Sequence, residues 1–236
     1  MCGRFLLTAP PEAVQRLFGF LEQPNLEPRY NIAPSQAVAA MIRDDQARRH
    51  FVWMRWGLLP SWSKEGRHPG EPGRAPLINA RAETVAEKPS FRDAFARRRC
   101  VVFADGFYEW RQGGNRQPYC IRLTDGAPFA FAAIWEPTAG EQGEPAGGCA
   151  LITTQANAKM AEVHHRMPVI LTPEEVGPWL DPAASRDALA ALLKPLPDAA
   201  VTLTPVSKRV NSVREDDAEL LREEELPAAP SQLDLF

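Results

Sequence analysis

The sequence predicts an α+β fold in one domain, with mixed or antiparallel sheets forming a barrel-like core and helices at its periphery. Three observations support this. The 236 residues, 44% of them hydrophobic, are enough for one substantial core. Many short β-type runs are separated by turn-prone Asp, Gly and Pro residues. A few short helical segments lie among them, and no internal repeat is evident.

The predicted strands are short runs rich in apolar and β-branched residues. After a short first strand near the N-terminus, the runs that predict strands are 38–43, 50–59, 100–104, 118–123, 129–135, 149–154, 167–172 and 200–206.

The predicted helices carry recognisable start and stop signals. Thr8 is the expected N-cap of the first, with Pro10 and Pro11 in its first turn and Gly19 at its end. Later helices are predicted from Ser90, near 155–163, from Thr172 with Glu175 at the third position, and from Ser185.

The chain is expected to divide into a compact domain, residues 1–221, and a flexible acidic tail, residues 222–236. No apolar run approaches the roughly 20 residues of a membrane span, and the N-terminus lacks signal-peptide features. We therefore expect a cytoplasmic protein with no membrane association. The net charge of −3 excludes a globally basic nucleic-acid coat, so DNA binding would need cations concentrated on one face.

The four cysteines, Cys2, Cys100, Cys120 and Cys149, are far apart in the sequence. They show neither a CxxC spacing nor a histidine arrangement typical of zinc ligands, so no metal site is predicted. The last three lie in apolar, strand-like contexts and are expected to be small buried side chains.

Cys2 differs because removal of Met1 would expose it as an N-terminal residue. It would then carry an amine and a thiol, with ordinary pKa values of about 7.7–8.0 and 8.5. With an aldehyde, the amine forms an imine and the thiolate can close a five-membered thiazolidine ring. The alternative is that a cysteine at position 2 is accidental, and Cys2 taken alone favours that alternative.

Further segments of the sequence favour a functional role for Cys2 over an accidental one. The opening MCGRF is followed by RYNIAPSQ (29–36), PLINARAET (76–84), FADGFYEW (103–110) and VHHRMPVIL (163–171), and RWGLLPSW (55–62) and PVSKRVNSV (205–213) also fit. Together they resemble the SOS response-associated peptidase (SRAP) family of abasic-site sensors, in the expected order from Met1 to about Leu221. The resemblance implies a monomer that needs no metal or organic cofactor.

The resemblance implies four catalytic residues: Cys2, Asn79, Glu109 and His164. Cys2 would attack the C1′ aldehyde of a ring-opened abasic site in single-stranded DNA, which shields the lesion. Glu109, placed among aromatic residues, would shuttle protons, and His164 would protonate the sugar ring oxygen. An isolated Asn, Glu or His is more often a turn, surface or structural residue. The family usually has Asp where this chain has His165, which puts the orientation of His164 in doubt.

Cations and aromatic side chains within the matched motifs are the candidates for binding a single strand. For any one Trp, core packing is the commoner role, and for an Arg the alternative is a structural salt bridge. We expect Asn31 and Pro34 to shape the pocket around Cys2. The predicted DNA-binding residues are Arg4, Asn31, Pro34, Trp56, Trp62, Arg81 and Arg166.

The last five residues, QLDLF, resemble the pentapeptide by which bacterial repair proteins dock on the DNA polymerase sliding clamp. The clamp-binding candidates are Gln232, Leu233, Asp234, Leu235 and Phe236, carried on a flexible leash. The alternative is a terminal strand that packs on the core.

Two other functions are compatible with the sequence. An N-terminal-nucleophile amidotransferase would use Cys2 to attack a glutamine amide, although the chain is short for that class. A clamp-tethered adaptor would have a structural Cys2 and no enzymatic activity. Removal of Met1 is either a peptidase activity of the same residues or the work of a separate aminopeptidase.

Overall fold

The computed structural model describes residues 2–60, 75–138 and 146–226. The predicted α+β class is confirmed. The helices are α1 Pro11–Phe18, α2 Arg92–Arg97, α3 Ala158–Ala161, α4 Pro173–Leu180 and α5 Arg186–Leu192. The strands are β1 Phe5–Leu7, β2 Arg29–Ile32, β3 Ala37–Arg43, β4 Arg49–Trp56, β5 Asn79–Arg81, β6 Arg99–Ala104, β7 Gly106–Trp110, β8 Pro118–Leu123, β9 Phe129–Pro137, β10 Gly147–Gln155, β11 Arg166–Pro168, β12 Ile170–Leu171 and β13 Val201–Pro205.

Five strands of the larger sheet close into a ring. The order is β10, β4, β3, β6 and β9, and β9 pairs again with β10. All of these pairings are antiparallel except that between β10 and β4. Strand β5 pairs with β10 in the parallel direction. Strand β11 pairs with the C-terminal end of β10, and β12 pairs with β9.

The second sheet is antiparallel throughout, in the order β13, β8, β7, β1 and β2. Its β1 joins it to the ring because Phe5 is fully buried between them. The Phe5 ring centroid lies 5.1 Å from that of Trp56 and 5.6 Å from that of Phe131. Full burial of such a side chain is worth about 1.5–3 kcal/mol.

The helix ends agree with the sequence signals except at the starts of the first two helices. The predicted start of α2 at Ser90 is wrong, because this helix begins at Arg92 with Phe91 in the N-cap position. Helix α1 begins at Pro11 with Pro10 as its N-cap, so the predicted Thr8 cap is wrong. Thr8 instead donates its N–H and hydroxyl to the Asp105 carboxylate, at 2.9 and 2.6 Å. Gly19 ends α1 in the left-handed conformation as predicted, with φ of 68°.

The caps predicted at Thr172 and Ser185 are confirmed. Thr172 and Glu175 form a capping box, and Ser185 accepts from the Ala188 N–H. Strand prediction missed β2, β5 and β7, which are at most five residues long. The predicted strand 167–172 is split at Val169, which bonds to β10 through its N–H and to β9 through its carbonyl.

The end of the domain remains attached to the second sheet beyond the predicted boundary at Leu221. Leu220 is fully buried, and the Glu224 N–H donates to the Pro205 carbonyl at 2.9 Å. The clamp-binding candidates 232–236 lie outside the described residues. Within the described ranges, no helix has the length and apolar character needed to cross a bilayer.

A histidine bridges two carboxylates where the β3–β4 hairpin meets the segment after α1. His50 Nδ1 lies 2.7 Å from Glu22 Oε1, and Nε2 lies 2.9 Å from Asp44 Oδ2. Asp44 also bonds to Arg48. Hydrogen bonds to Glu22 and then Asp44 raise the pKa of His50 above its ordinary value.

This bridge predicts a pH-dependent contribution to stability. Because the folded pKa is raised, the stabilisation is fully present below the unfolded value of about 6.5 and is lost as the pH rises through the folded pKa. The melting temperature of His50→Gln should therefore fall below wild type at about pH 6 and approach it at about pH 9. As a control, Asp45→Asn removes an exposed carboxylate of the same turn that bonds to neither ring nitrogen. A wild-type advantage over His50→Gln that does not change with pH would contradict this assignment.

Candidate active site at the junction of the two sheets

Cys2 lies immediately before β1, at the junction of the two sheets. The antiparallel register of β1 and β7, with Phe5 opposite Phe107, brings the N-terminal residues alongside Glu109. The Cys2 carbonyl accepts a hydrogen bond of 2.8 Å from Asn79 Nδ2. The side chain is fully buried, and its sulfur lies 3.9 Å from the Arg4 carbonyl.

The Cys2 thiol is not ionised at neutral pH in the chain that still carries Met1. Burial and then the nearby Glu109 carboxylate raise its pKa well above the ordinary value. The ordinary thiol pKa expected for Cys2 concerns the chain without Met1, and it stays a prediction.

Glu109 is held in an apolar position by the alternation of β7. It lies opposite Tyr119 of β8, and only 3% of its surface is exposed. Tyr108 points to the other face of the sheet, where its hydroxyl donates to the Tyr30 carbonyl at 2.8 Å. Burial raises the pKa of the Glu109 carboxyl, as expected for a group that exchanges protons near neutral pH.

Asn79 begins β5 and connects Cys2 to the ring. Its backbone pairs with Leu151 in the parallel β5–β10 ladder, which fixes the direction of the side chain. While Nδ2 donates to Cys2, Oδ1 is buried and accepts no hydrogen bond from the described residues. A buried amide oxygen of this kind is a ready acceptor for a ligand hydroxyl or amine.

His164 lies between α3 and β11 and is 9% exposed. Its Nδ1 is 3.0 Å from the Arg166 N–H and 3.1 Å from the Arg166 carbonyl oxygen. The N–H can donate to the neutral ring, and the carbonyl can accept from the protonated one. Burial lowers the pKa of His164, so the ring is neutral at neutral pH and can still take up a proton transiently.

The orientation of His164 is defined even with the unusual His165 beside it. Its ring stacks on that of His164 with centroids 4.4 Å apart, and Gln112 Nε2 lies 3.0 Å from its Nδ1. The backbone of Arg166 and this stacking hold the imidazole of His164.

Glu109 and His164 line one cleft of about 850 Å³. The Gln112 N–H donates to the Val163 carbonyl at 3.0 Å, which ties the end of β7 to the segment that carries His164. Asn79 is hydrogen-bonded to Cys2, and Glu109 is near enough to raise the pKa of the Cys2 thiol. The four predicted catalytic residues therefore meet at this junction.

The predicted DNA-binding residues have different environments. Arg81 is exposed at the end of β5, and Pro34 is partly exposed in the turn before β3. Trp56 is fully buried and donates to the Ile78 carbonyl, so it is a core residue and offers no stacking surface. Trp62 lies outside the described residues.

The remaining three make internal contacts. Arg166 is 8% exposed and forms a bidentate ion pair with Glu83 at 2.6 and 3.0 Å. Arg4 donates to Asn31 Oδ1 at 2.8 Å and to the Val210 carbonyl at 2.7 Å. Asn31 is fully buried. The prediction that its side chain contacts DNA directly is therefore wrong for this conformation.

Comparison with known proteins decides the family. Residues 1–213 match the profile described as "SOS response associated peptidase (SRAP)". The chain belongs to the SRAP family.

Relatives from bacteria and vertebrates cover almost the whole SRAP chain. It is 40% identical to the abasic site processing protein YoaM of Bacillus subtilis, with 94% of this chain and 97% of that protein aligned. It is 31% identical to YedK of Escherichia coli, covering 94% and 99%, and 34% identical to HMCES of Gallus gallus, covering 94% and 77%.

Solved structures show the same fold. A protein from Bacteroides thetaiotaomicron superposes with a TM-score of 0.80 at 28% identity, covering 95% of this chain and 100% of that one. A phage-related protein from Bordetella bronchiseptica gives 0.71 at 29% identity, covering 88% and 95%.

Sequence reasoning about this SRAP chain missed several cleft residues. Arg111 and Arg116 come from the β7–β8 connection, and Lys208 and Asn211 from a short 3₁₀ helix. Two signals were available in the sequence. Arg111 and Arg116 follow FYEW closely, and Lys208 and Asn211 lie within PVSKRVNSV. Within the described parts of the chain, no group of three or more metal-ligating side chains could hold an ion. Cys100, Cys120 and Cys149 are buried, as predicted.

Asn31 is predicted to stabilise the wall that carries Lys208. Its Nδ2 donates to the carbonyls of Ser212 and Glu215 at 2.9 and 2.7 Å, with a longer contact of 3.3 Å to Val210. Asn31→Ala should lower the free energy of unfolding by about 3 kcal/mol, because several buried polar groups lose partners. Urea denaturation measures this, with the exposed Asn115→Ala as control. A loss below about 0.5 kcal/mol would refute the anchoring role.

Proposed function

We propose that this protein captures abasic sites in single-stranded DNA through a covalent thiazolidine between Cys2 and the lesion. The observation that carries the proposal is the meeting of Cys2, Asn79, Glu109 and His164 at one junction. Relatives named abasic site processing proteins, aligned over nearly the whole chain, support the same lesion as the substrate.

The proposed reaction has three steps. His164 donates a proton to the sugar ring oxygen while the C1′ hydroxyl releases its proton to water, so the C1′–O bond of the ring breaks and the C1′ aldehyde forms. The Cys2 amine adds to C1′, and loss of water, assisted by proton transfer through Glu109, gives an imine. The thiol then adds to the same carbon, its proton passes to the former imine nitrogen, and the five-membered ring closes.

Removal of Met1 is the activating event in this proposal. In the precursor the Cys2 nitrogen is an amide, which cannot form an imine, and the thiol is buried with a raised pKa. Cleavage creates the free amine on Cys2. The same catalytic residues or a separate aminopeptidase can perform this cleavage.

The product protects the lesion from strand cleavage and from mutagenic copying. Among the predicted contacts, Arg81 and Pro34 remain accessible to a strand and would lie beside the lesion. The protein acts as a cytoplasmic monomer without a metal or organic cofactor. As an enzyme it is a DNA–protein crosslinking protein with lyase-like and Met1-removing activities, within the response to DNA damage.

The decisive measurement uses the mature protein and an oligonucleotide whose single uracil has been excised. Wild type should give a gel-stable adduct, and Cys2→Ala should give none. Cys2→Ser should form only an imine that borohydride traps, because a hydroxyl is a weaker nucleophile than a thiol. Cys120→Ala, which removes a different buried cysteine, should crosslink like wild type.

Intact mass of each purified protein must first show that Met1 is absent. A stable adduct from Cys2→Ala or Cys2→Ser would refute ring closure by the thiol. Glutaminase activity without any adduct would favour the amidotransferase alternative, and neither activity would favour the adaptor.

We further propose, from the sequence of the tail, that QLDLF docks on the polymerase sliding clamp. Because Glu224 is still bonded to Pro205, the free leash would be the segment 225–231, which reaches about 23 Å at ~3.3 Å per residue. Deleting residues 232–236 should abolish clamp co-purification while the crosslinking rate stays at the wild-type value. Equal clamp retention by the truncated protein would end this proposal.

A further inference from the structure

The cleft beside the catalytic junction has a cationic wall that none of the catalytic steps uses. Besides Glu109 and His164, its lining includes Arg111, Arg116 and Lys208. All three are exposed, and none forms an ion pair within the described chain.

Neighbouring arginines make the contrast clear. Arg209, next to Lys208, is paired with both Glu215 and Asp217, and Arg166 is paired with Glu83. These cations are therefore neutralised within the protein. The cleft cations have no acidic partner among residues 2–60, 75–138 and 146–226, so their charge is available to an anionic ligand.

Arg111 is held in place before any ligand arrives. It follows Glu109 by two residues, and its N–H donates to the Gln117 carbonyl at 2.9 Å. Its guanidinium lies 4.9 Å from the ring centroid of Tyr119, the residue opposite Glu109 on β8. Stacking on an aromatic face leaves the edge N–H groups of a guanidinium free to donate.

The part of the cleft lining that carries Lys208 is fixed through Trp110. Its indole N–H donates to Asn211 Oδ1 at 2.7 Å, within the 3₁₀ helix Lys208–Asn211. The 3₁₀ helix that carries Lys208 is therefore tied to the C-terminal end of β7. The volume of about 850 Å³ suits a segment of a polymer better than a single small anion.

We propose that Arg111, Arg116 and Lys208 form a phosphate-binding subsite for the single strand flanking the abasic nucleotide. This deepens the proposed function and rests on it for the identity of the strand. The subsite sets the affinity for DNA and the position of the sugar, and it takes no part in bond making at Cys2.

Fluorescence anisotropy with a lesion-free single-stranded oligonucleotide tests the subsite without any covalent chemistry. The variant R111Q/R116Q/K208Q should bind roughly tenfold or more weakly than wild type at low salt. Its slope of log affinity against log salt should be smaller by about 2, since each phosphate contact on a single strand contributes about 0.7.

A matched control removes the same number and kind of charges elsewhere. Arg16, Lys88 and Arg97 are exposed residues that do not line the cleft. R16Q/K88Q/R97Q should therefore keep the affinity and salt slope of wild type. Equal losses in the two triple variants, or no loss in the cleft variant, would overturn the proposal.

A second measurement separates this proposal from the one on which it rests. With uracil-excised DNA, the cleft variant should need roughly tenfold more DNA for half-maximal crosslinking, with an unchanged rate at saturation. A lower saturating rate with unchanged half-saturation would assign these residues to catalysis and overturn the subsite. If wild type forms no adduct, the crosslinking proposal fails, while the anisotropy measurements still decide whether the cleft binds phosphates.

Discussion

The candidate site depends on the antiparallel pairing of β1 with β7. The register that places Phe5 opposite Phe107 brings the residues before Phe5 alongside Glu109, and burial of Phe5 against Trp56 and Phe131 locks this sheet to the ring. A slip of one residue would send every β1 side chain to the other face. The position of the N-terminal cysteine is thus determined by core packing.

The second constraint is the exclusion of water from ionisable groups. Glu109 is buried beside a thiol that is itself buried, and burial raises the pKa of both. In His164 the same effect lowers the pKa. All three groups are therefore biased towards their neutral forms, which suits transfer of a proton between neighbours better than storage of fixed charge. The Asn79 amide adds a donor and an acceptor without adding charge.

The sequence motifs identified the candidate residues but could not supply their geometry. Asn79 and Cys2 are 77 positions apart, and their contact requires the β5–β10 and β1–β7 pairings together. Caps such as Thr172 were predictable because their signals are local, whereas Thr8 bonds to Asp105 across the fold. Strands β5 and β7 escaped prediction since three to five residues carry too little periodicity.

Membership of a motif also does not distinguish an arginine that supports the fold from one that is available to a ligand. Arg4 and Arg166 lie within matched segments, yet their guanidinium groups bond to Asn31 and Glu83. Arg111 and Arg116 lie in an unremarkable turn, and the fold leaves their charge exposed in the cleft. The difference depends on which acidic side chains the tertiary structure brings near, and this is set by long-range packing. In the described part of this fold, arginines with internal partners support the structure, and those without an acidic partner give the cleft its charge.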